Sequence, residues 1–363
     1  MTQGEGEPVT LSRICVLCIG VCLSAVDVAA DESAPESPPQ GRLQRYEFLQ
    51  VRMAVPVRIS VYAGEEPTAN QAAQAAYARI KQIDRMLSHY DPDSELSAVC
   101  RDAVAGRPVS VSRELFTVLS HAARVSRRSD GAFDVTVGPL MDLWRRSRKD
   151  RQLPVAADVE TARRLVGYEQ VQLDSLTQTV TLGQAGMRLD LGGIAKGYAA
   201  DEALRVLQEH GIEHALIDAG GDIVTGQPPP GADGWRIGIA PLDAPDGDPQ
   251  RFLRLGNAAV ATSGDASQFV EIDGIRYSHI MDPRTGLGLT TRSSVTIVAP
   301  DGIAADSLAS AVSVLGPERG LKLLRSIAGT DALIVVRDDS GLRSWESPGW
   351  RHRTTRTRVS TSR

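Results

Sequence analysis

Apolar residues recur with helical spacing in four segments of the chain. The pattern predicts helices over residues 68–87, 112–131, 197–210 and 304–315, since each presents one apolar face at a period of 3.6 residues. Thr68 and Ser112 are the expected N-terminal caps of the first two helices.

Short runs of alternating or continuous apolar residues predict strands between these helices. Internal repeats and regular βαβ alternation are not evident, which favours an α+β fold over a doubly wound sheet. We therefore expect a single domain over residues 45–347, built from mixed sheets packed with helices. The predicted strands are residues 58–62, 215–217, 235–239, 269–272, 294–298 and, as the final strand, 332–336.

The two ends of the chain differ from the globular pattern. Residues 14–25 are apolar, follow Arg13 and lead to small residues at Val28 and Ala30, which predicts a signal peptide over residues 1–30. An uncleaved anchor or a misassigned start stays open, because Glu5 and Glu7 are unusual near the start of a signal peptide.

Composition predicts that two further segments lie outside the folded domain. Residues 31–44 are rich in Pro, Ser and Glu and are expected to form a linker. Residues 348–363 are rich in Arg, Ser and Thr, which predicts a disordered basic tail.

Bulk composition excludes one class of partner and limits disulfide formation. The 363 residues carry a formal net charge of −5, which gives no electrostatic reason to expect nucleic-acid binding. Three of the four cysteines lie within residues 15–22, so cleavage of a signal peptide would leave Cys100 alone, without an internal disulfide.

A glycine-rich turn, residues 190–198, precedes the third predicted helix. Its sequence DLGGIAKGY lets backbone amides approach a ligand, and a helix N-terminus favours an anion such as a phosphate. Lys196 adds a cation, but the segment is not a Walker A loop, since Lys196 precedes the last glycine and no Ser or Thr follows it. A tight strand-to-helix turn without a ligand explains the same residues equally well.

Asp306 and Ser310 lie on one face of the late predicted helix, because they are four residues apart. Carboxylate and hydroxyl oxygens suit a hard cation such as Mg²⁺, which keeps several waters and binds phosphates. Taken alone, the pair is explained better by a solvated Asp near a helix N-terminus.

His279 follows an alternating segment and precedes a Pro/Gly turn. Loops at strand ends commonly hold catalytic groups, and a neutral imidazole can remove a hydroxyl proton near pH 7. The alternative is a structural histidine bonded to the turn, with Asp282 as an Asx-turn residue.

In combination and in order, these segments resemble the landmarks of the ApbE family of flavin transferases. The resemblance covers residues 48–336, nearly the whole globular region. It is carried by Met53 and by residues 93–97 (DSELS), 131–136 (GAFDVT), 190–197 (DLGGIAKG), 220–222 (GGD), 262–264 (TSG), 279–286 (HIMDPRTG) and 305–310 (ADSLAS).

The resemblance implies an exported enzyme, periplasmic or anchored in the inner membrane facing the periplasm, that uses FAD as substrate and Mg²⁺. Such an enzyme joins FMN through a phosphoester to a threonine of an acceptor protein and releases AMP. The acceptor is expected to carry a Ser/Thr-Gly-Ala-Thr-like motif and to be a subunit of a membrane redox complex.

The resemblance also implies a role for individual residues. His279 matches the histidine proposed as the catalytic base, and the backbone carbonyl of Gly193, with Asp306 and Ser310, is expected to hold Mg²⁺. The residues expected to line the FAD site are Met53, Ala132, Phe133, Asp134, Asp190, Lys196 and Met281.

The sequence departs from the family pattern at three places, and two alternative functions stay open. Residues 54–55 replace a common Gly-Thr, residues 99–100 stand where Asn is often found, and Ser310 replaces a common Thr while keeping the hydroxyl. An FAD diphosphatase would use the same site to hydrolyse FAD to FMN and AMP. A non-catalytic periplasmic flavin-binding protein is disfavoured by the presence of both Asp306 and His279.

Overall fold

The computed structural model describes residues 43–102, 106–244, 247–249, 251–265 and 268–356, all within one compact unit. The predicted signal peptide and residues 31–42 of the predicted linker lie outside the described residues. A short 3₁₀ helix covers Tyr168–Gln170. The α-helices are α1 (Glu66–Leu87), α2 (Glu95–Asp102), α3 (Arg113–Ser129), α4 (Gly138–Asp150), α5 (Ala156–Arg163), α6 (Ala195–Glu209), α7 (Gly302–Leu324) and α8 (Trp350–Arg353).

Eight of the strands form one long sheet in the order β1-β2-β6-β7-β10-β15-β16-β17, and every neighbouring pair in it is antiparallel. The strands are β1 (Gln44–Arg52), β2 (Val55–Ala63), β3 (Val109–Ser110), β4 (Val171–Asp174), β5 (Thr179–Leu182), β6 (Ala215–Ala219), β7 (Asp222–Thr225), β8 (Trp235–Ile239), β9 (Arg251–Leu255), β10 (Ala258–Gly264), β11 (Phe269–Ile272), β12 (Ile275–Ser278), β13 (Met281–Asp282), β14 (Leu287–Gly288), β15 (Arg292–Ala299), β16 (Asp331–Asp338), β17 (Gly341–Glu346) and β18 (Thr354–Arg356).

The long sheet is covered on both faces, so its central strands are almost continuously apolar. Helices α1, α6 and α7 cover one face, where Ala259 and Ile297 contribute to the main core. The small sheet β18-β9-β8 covers the other face, where the alternate residues Val260 and Val298 pack with Trp350. The alternation of one residue per face is the period-2 geometry of a strand. The α+β prediction is confirmed.

A third hydrophobic cluster forms beside the main core. It joins helices α4 and α5 to the hairpins β11-β12 and β13-β14, with Leu140, Trp144 and Tyr277 at its centre. The indole N–H of Trp144 donates a hydrogen bond to the Ser278 carbonyl at 3.2 Å. This cluster therefore anchors the end of β12, directly before His279.

The four predicted helices correspond to α1, α3, α6 and α7, whereas α2, α4, α5 and α8 were not predicted. The Ser112 hydroxyl accepts a hydrogen bond from the Leu115 N–H at 3.2 Å, so the predicted cap of α3 is confirmed. Thr68 is not a cap, because α1 already begins at Glu66 and Pro67 takes the first-turn position that a proline favours. The late helix continues beyond 315 to Leu324, with a break at Gly316.

The C-terminal segment is more ordered than its composition suggests. Strand β17 follows the strand that we expected to be the last, and residues 348–356, predicted to be disordered, contain α8 and β18. Trp350 is fully buried, and Arg353 pairs with the Asp331 carboxylate at 2.8 Å. The free energy gained by burying the Trp350 side chain orders this segment in spite of its polar composition. Residues 357–363 lie outside the described residues.

We predict that Trp350→Ala lowers the free energy of unfolding by ~3–5 kcal/mol, because the substitution leaves a large cavity between the two sheets. Chemical denaturation followed by far-UV circular dichroism measures the change. Trp345→Ala is the control, since Trp345 is half-buried on the edge strand β17. Equal losses in the two variants would contradict the packing role of Trp350.

Candidate active site

Helices α6 and α7 pack backbone to backbone at two glycines. A Cβ atom added to Gly197 would lie 2.1 Å from the Gly302 carbonyl oxygen, and one added to Gly302 would lie 2.5 Å from the Gly197 carbonyl oxygen. The Asp201 carboxylate of α6 accepts hydrogen bonds from Gly302 N–H at 2.6 Å and Ile303 N–H at 2.9 Å. The start of α7 is therefore fixed on α6 by both steric fit and hydrogen bonds.

This helix contact brings the three predicted metal-binding residues together. A Cβ atom at Gly193 would lie 2.8 Å from the Ser310 hydroxyl oxygen, so only glycine lets the turn approach Ser310 this closely. The buried Asp306 lies one helical turn before Ser310, and its Oδ2 accepts a hydrogen bond from Gly197 N–H at 3.1 Å.

Lys196 lies between two carboxylates at the same point. Its Nζ is 2.5 Å from Asp222 Oδ2 and 3.6 Å from Asp306 Oδ2. Burial disfavours the ammonium, but the charges of Asp306 and Asp222 outweigh it and raise the pKa of Lys196. Lys196 is therefore cationic at neutral pH. Asp222 belongs to the GGD segment, but the sequence does not indicate its pairing with Lys196, because the two residues meet only through the fold.

His279 is held by the hairpin β11-β12. Its backbone N–H and its Nδ1–H both donate to the Gln268 carbonyl, at 3.1 and 3.2 Å, which leaves Nε2 as the unprotonated nitrogen of the neutral ring. Burial lowers the pKa of His279, and the positive charges of Arg148 and Lys196 lower it further. The neutral imidazole is thus the main form at pH 7, within electrostatic reach of Lys196.

The segment 132–134 follows α3 and lies against the glycine-rich turn. The Phe133 ring would be 3.3 Å from a Cβ atom at Gly193. Both oxygens of the buried Asp134 carboxylate are occupied locally, by Thr136 N–H and hydroxyl and by Tyr168 N–H. The side chain of Asp134 shapes the loop, while Phe133 faces the candidate metal site.

Asp190 is fixed by a backbone hydrogen bond and by an ion pair that the sequence did not indicate. Its Oδ1 accepts a hydrogen bond from Gly192 N–H at 2.8 Å, and its Oδ2 forms an ion pair with Arg145 of α4. The Arg145 guanidinium also lies 5.0 Å from the ring centre of Tyr90. His89 Nδ1 lies 3.7 Å from Asp190 Oδ1. Arg145 belongs to a basic run of α4, and nothing in that run indicates a contact 45 residues away.

The two methionines predicted to line the FAD site lie in different surroundings. Met53 is at the tip of the β1-β2 hairpin, where Met53 and Ala54 both have positive φ, 50° and 59°. Val55 of the same hairpin packs against Gly220, where an added Cβ would lie 2.9 Å from Val55 Cβ. Met281, by contrast, is buried in the third hydrophobic cluster. The FAD-lining roles stay predictions.

Comparison with known proteins identifies the family. The ApbE family model matches residues 53–334. The chain belongs to the ApbE family. The FAD:protein FMN transferase of Klebsiella pneumoniae (strain 342) is 34% identical over 299 residues, which cover 81% of this chain and 90% of that protein. The FAD:protein FMN transferase of Treponema pallidum (strain Nichols) is 33% identical over 343 residues, which cover 90% of each chain.

Solved structures of ApbE proteins share the fold. The flavin transferase ApbE from Vibrio cholerae matches with a TM-score of 0.77 and 29% identity, over 86% of this chain and 99% of that chain. An ApbE protein from Thermotoga maritima matches with a TM-score of 0.76 and 32% identity, over 85% of this chain and 99% of that chain. The resemblance to the ApbE family inferred from the motifs is confirmed.

The candidate metal site consists of a few hard oxygen donors. Within the residues that the structure describes, no group of three or more His, Cys, Asp and Glu side chains is placed to hold a metal ion. One carboxylate (Asp306), one hydroxyl (Ser310) and the main chain of Gly193 converge instead. Oxygen donors of this kind suit Mg²⁺, which binds proteins through one or two carboxylates and fills its remaining positions with water and phosphate oxygens. The residues present therefore fit the ion.

We predict that Gly197→Ala destabilises the protein by about 1–3 kcal/mol, because the added methyl group collides with the Gly302 backbone and forces α6 and α7 apart. Thermal denaturation measures the loss. Gly64→Ala is the matched control, since no heavy atom lies within 4 Å of a Cβ atom at Gly64 and its φ is not positive. Unchanged stability of Gly197→Ala would show that the helix contact tolerates a side chain.

Proposed function

We propose that this chain is a Mg²⁺-dependent FAD:protein FMN transferase, which attaches FMN through a phosphoester to a threonine of an acceptor protein and releases AMP. The observation that carries the proposal is the convergence of Gly193, Asp306 and Ser310 beside Lys196. Curated ApbE relatives that cover most of the chain are named FAD:protein FMN transferases, which supports FAD as the substrate and a protein as the acceptor.

Asp306, Ser310 and the carbonyl of Gly193 would hold Mg²⁺ in this proposal. When bound, Mg²⁺ would neutralise charge on the diphosphate of FAD as the anhydride bond breaks. Lys196 and the backbone amides of the glycine-rich turn supply further positive charge and hydrogen-bond donors at the start of α6. The site is thus suited to a diphosphate more than to a neutral substrate.

His279 supplies the base that a threonine nucleophile needs. A threonine hydroxyl is a weak nucleophile, and Nε2 of neutral His279 can accept its proton as the oxygen attacks the FMN-side phosphorus. The new bond joins that oxygen to phosphorus, and the broken bond is the phosphoanhydride, so AMP leaves with the bridging oxygen. Nδ1–H remains donated to Gln268, which keeps the ring oriented during the transfer.

Sequence and family membership support two finer proposals. We propose an acceptor with a Ser/Thr-Gly-Ala-Thr-like motif, belonging to a membrane redox complex. We also propose export to the periplasm, on the basis of the apolar residues 14–25, which lie outside the described residues. In the described part of the chain, no helix has the length and apolar character of a membrane span.

The test is a mass-spectrometric transfer assay. The protein is incubated with FAD, Mg²⁺ and a small protein that carries a Ser-Gly-Ala-Thr segment. We expect an FMN adduct on the threonine that is lost when Mg²⁺ is chelated. Asp306→Asn should lower the rate by at least about 100-fold, since it weakens a ligand of the ion that stabilises the transition state.

Glu318→Gln is the matched control, because Glu318 is an exposed acidic residue on the same helix, α7. Its transfer rate should equal that of the wild type. Release of FMN and AMP without an adduct would replace the transferase with the alternative FAD diphosphatase. Binding of FAD without any cleavage would indicate a flavin-binding protein, and full activity of Asp306→Asn would remove Asp306 from the metal site.

The lowered pKa of His279 sets the pH dependence of transfer. Because the folded-state pKa lies below the ordinary value of 6.5, the neutral base is formed already on the acid side of 6.5. We therefore expect kcat/KM to rise with pH along an acid limb whose midpoint is below 6.5, and to be flat from there to pH 8. Measurement of kcat/KM from about pH 5 to about pH 8 checks this expectation.

His279→Gln should abolish the acid limb and lower kcat strongly while the Kd for FAD is retained. His210→Gln is the control, since His210 is exposed at the end of α6. An acid limb centred above pH 6.5, or a loss of FAD affinity equal to the loss of kcat, would argue that His279 is structural.

A further inference from the structure

Lys196 is shared unequally between two buried carboxylates. Its ammonium is 2.5 Å from Asp222 and 3.6 Å from Asp306. Asp222 and Asp306 are 6% and 3% exposed, so water screens neither charge effectively. Within the described ranges, Lys196 is the one cation within 4 Å of either carboxylate. The shorter of the two contacts of the Lys196 ammonium is with Asp222, which has no role in the proposed metal site.

This arrangement matters for Asp306, because an ammonium and a metal ion compete for the same carboxylate. If the ammonium lay on Asp306, it would occupy an oxygen that Mg²⁺ needs and would repel the ion. We infer that Asp222 is a positioning residue that draws the Lys196 ammonium away from Asp306 and so leaves Asp306 available to Mg²⁺. The inference rests on the proposed function, in which Asp306 is a metal ligand.

The fold holds Asp222 rigidly enough for this role. Asp222 is the first residue of β7, an interior strand of the long sheet, and pairs with Ala219 of β6 across a two-residue turn. Gly220 and Gly221 form that turn with φ of 68° and 96°, and Gly221 N–H donates to Asp218 Oδ1 at 2.9 Å. The backbone of Asp222 is thereby fixed on the sheet, while Asp306 and Lys196 are on separate helices.

Asp306 could not hold the Lys196 ammonium in place of Asp222 and still be available to Mg²⁺. Its Oδ2 already accepts the Gly197 N–H hydrogen bond and lies nearest to Lys196. In the absence of the Asp222 charge, Asp306 would be the nearest carboxylate to the ammonium, and the flexible lysine side chain would turn toward it. The expected consequence is weaker metal binding, caused by Lys196 and not by a change in the ligands.

Direct binding of Mn²⁺, followed by electron paramagnetic resonance, tests the inference without relying on turnover. The full chain is titrated with MnCl₂ without FAD or acceptor, and then with MgCl₂ as a competitor. We expect Asp222→Asn to weaken Mn²⁺ affinity by about tenfold. Asp218→Asn is the matched control, because it removes the same charge beside the same turn but does not contact Lys196, and its affinity should be unchanged.

A double variant separates positioning by Asp222 from the simple loss of a negative charge. In the Lys196→Met background no ammonium competes for Asp306, so adding Asp222→Asn should leave Mn²⁺ affinity within about twofold. A loss in that background as large as in the wild type would overturn the inference, since Asp222 would then act on the metal ion directly. Equal affinity of Asp222→Asn and wild type would also overturn it.

The wild-type titration distinguishes failure of the inference from failure of the proposed function. If the wild type binds no Mn²⁺ and Asp306→Asn is indistinguishable from it, the metal site and the inference are both wrong. If the wild type binds Mn²⁺, the ion depends on Asp306, and Asp222→Asn binds equally well, only the inference is wrong. Circular dichroism verifies folding, and Asp222→Ser replaces Asp222→Asn in the series if the latter does not fold.

Discussion

The close contact between α6 and α7 is the constraint on which the candidate active site depends. Gly197 and Gly302 let two backbones meet at distances that any side chain would prevent, and Asp201 fixes the first turn of α7. Asp306 and Ser310 follow within the next two turns of α7, so their positions relative to Gly193 are set by the same contact. A helix pair with ordinary side chains at its crossing would be several ångströms wider, and the three oxygen donors would no longer converge.

Negative charges outnumber positive charges at this contact. Two buried carboxylates, Asp222 and Asp306, face one ammonium, and such an excess of buried negative charge is costly without a further cation. A divalent ion at Asp306 would relieve that cost, and the phosphates of a bound substrate would balance the ion in turn. Stability of the unliganded site and affinity for ligands are therefore two consequences of one charge arrangement.

What the sequence could predict was local, and what it could not predict depended on contacts between distant segments. The cap of α3 at Ser112 and the shared face of Asp306 and Ser310 follow from spacing within one helix. Lys196 lies on α6 and its partner Asp222 lies on β7, and no propensity or period indicates which carboxylate the fold will place beside the lysine.

Some errors come from tertiary contacts and one comes from a neighbouring residue. Polar composition predicted a disordered tail, but composition does not register that Trp350 fills a gap between two sheets. Thr68 is a good cap by residue type, yet Pro67 moves the start of the helix before it. The ion pair between Arg145 and Asp190 was not predicted, because nothing in the basic run of α4 indicates a contact 45 residues away. A tertiary contact therefore decided the structure of the tail and the partner of Asp190, whereas the neighbouring proline decided where α1 begins.

The proposed base and the proposed metal-binding residues lie in differently packed parts of the fold. Asp306 and Ser310 lie on a helix of the main core, whereas His279 follows a hairpin anchored by Trp144 in the third cluster. The segment around residues 131–138 connects the two parts, since the Asp190 N–H donates to the Val135 carbonyl at 2.7 Å beside the glycine-rich turn. The distance between His279 and the candidate metal site therefore depends on how the third hydrophobic cluster packs against the main core. The residues next to His279 or next to Asp306 do not set it. In the proposed function, a site divided in this way would bind the diphosphate on the helices of the main core, while the base is positioned by loops, which commonly carry binding and catalytic groups.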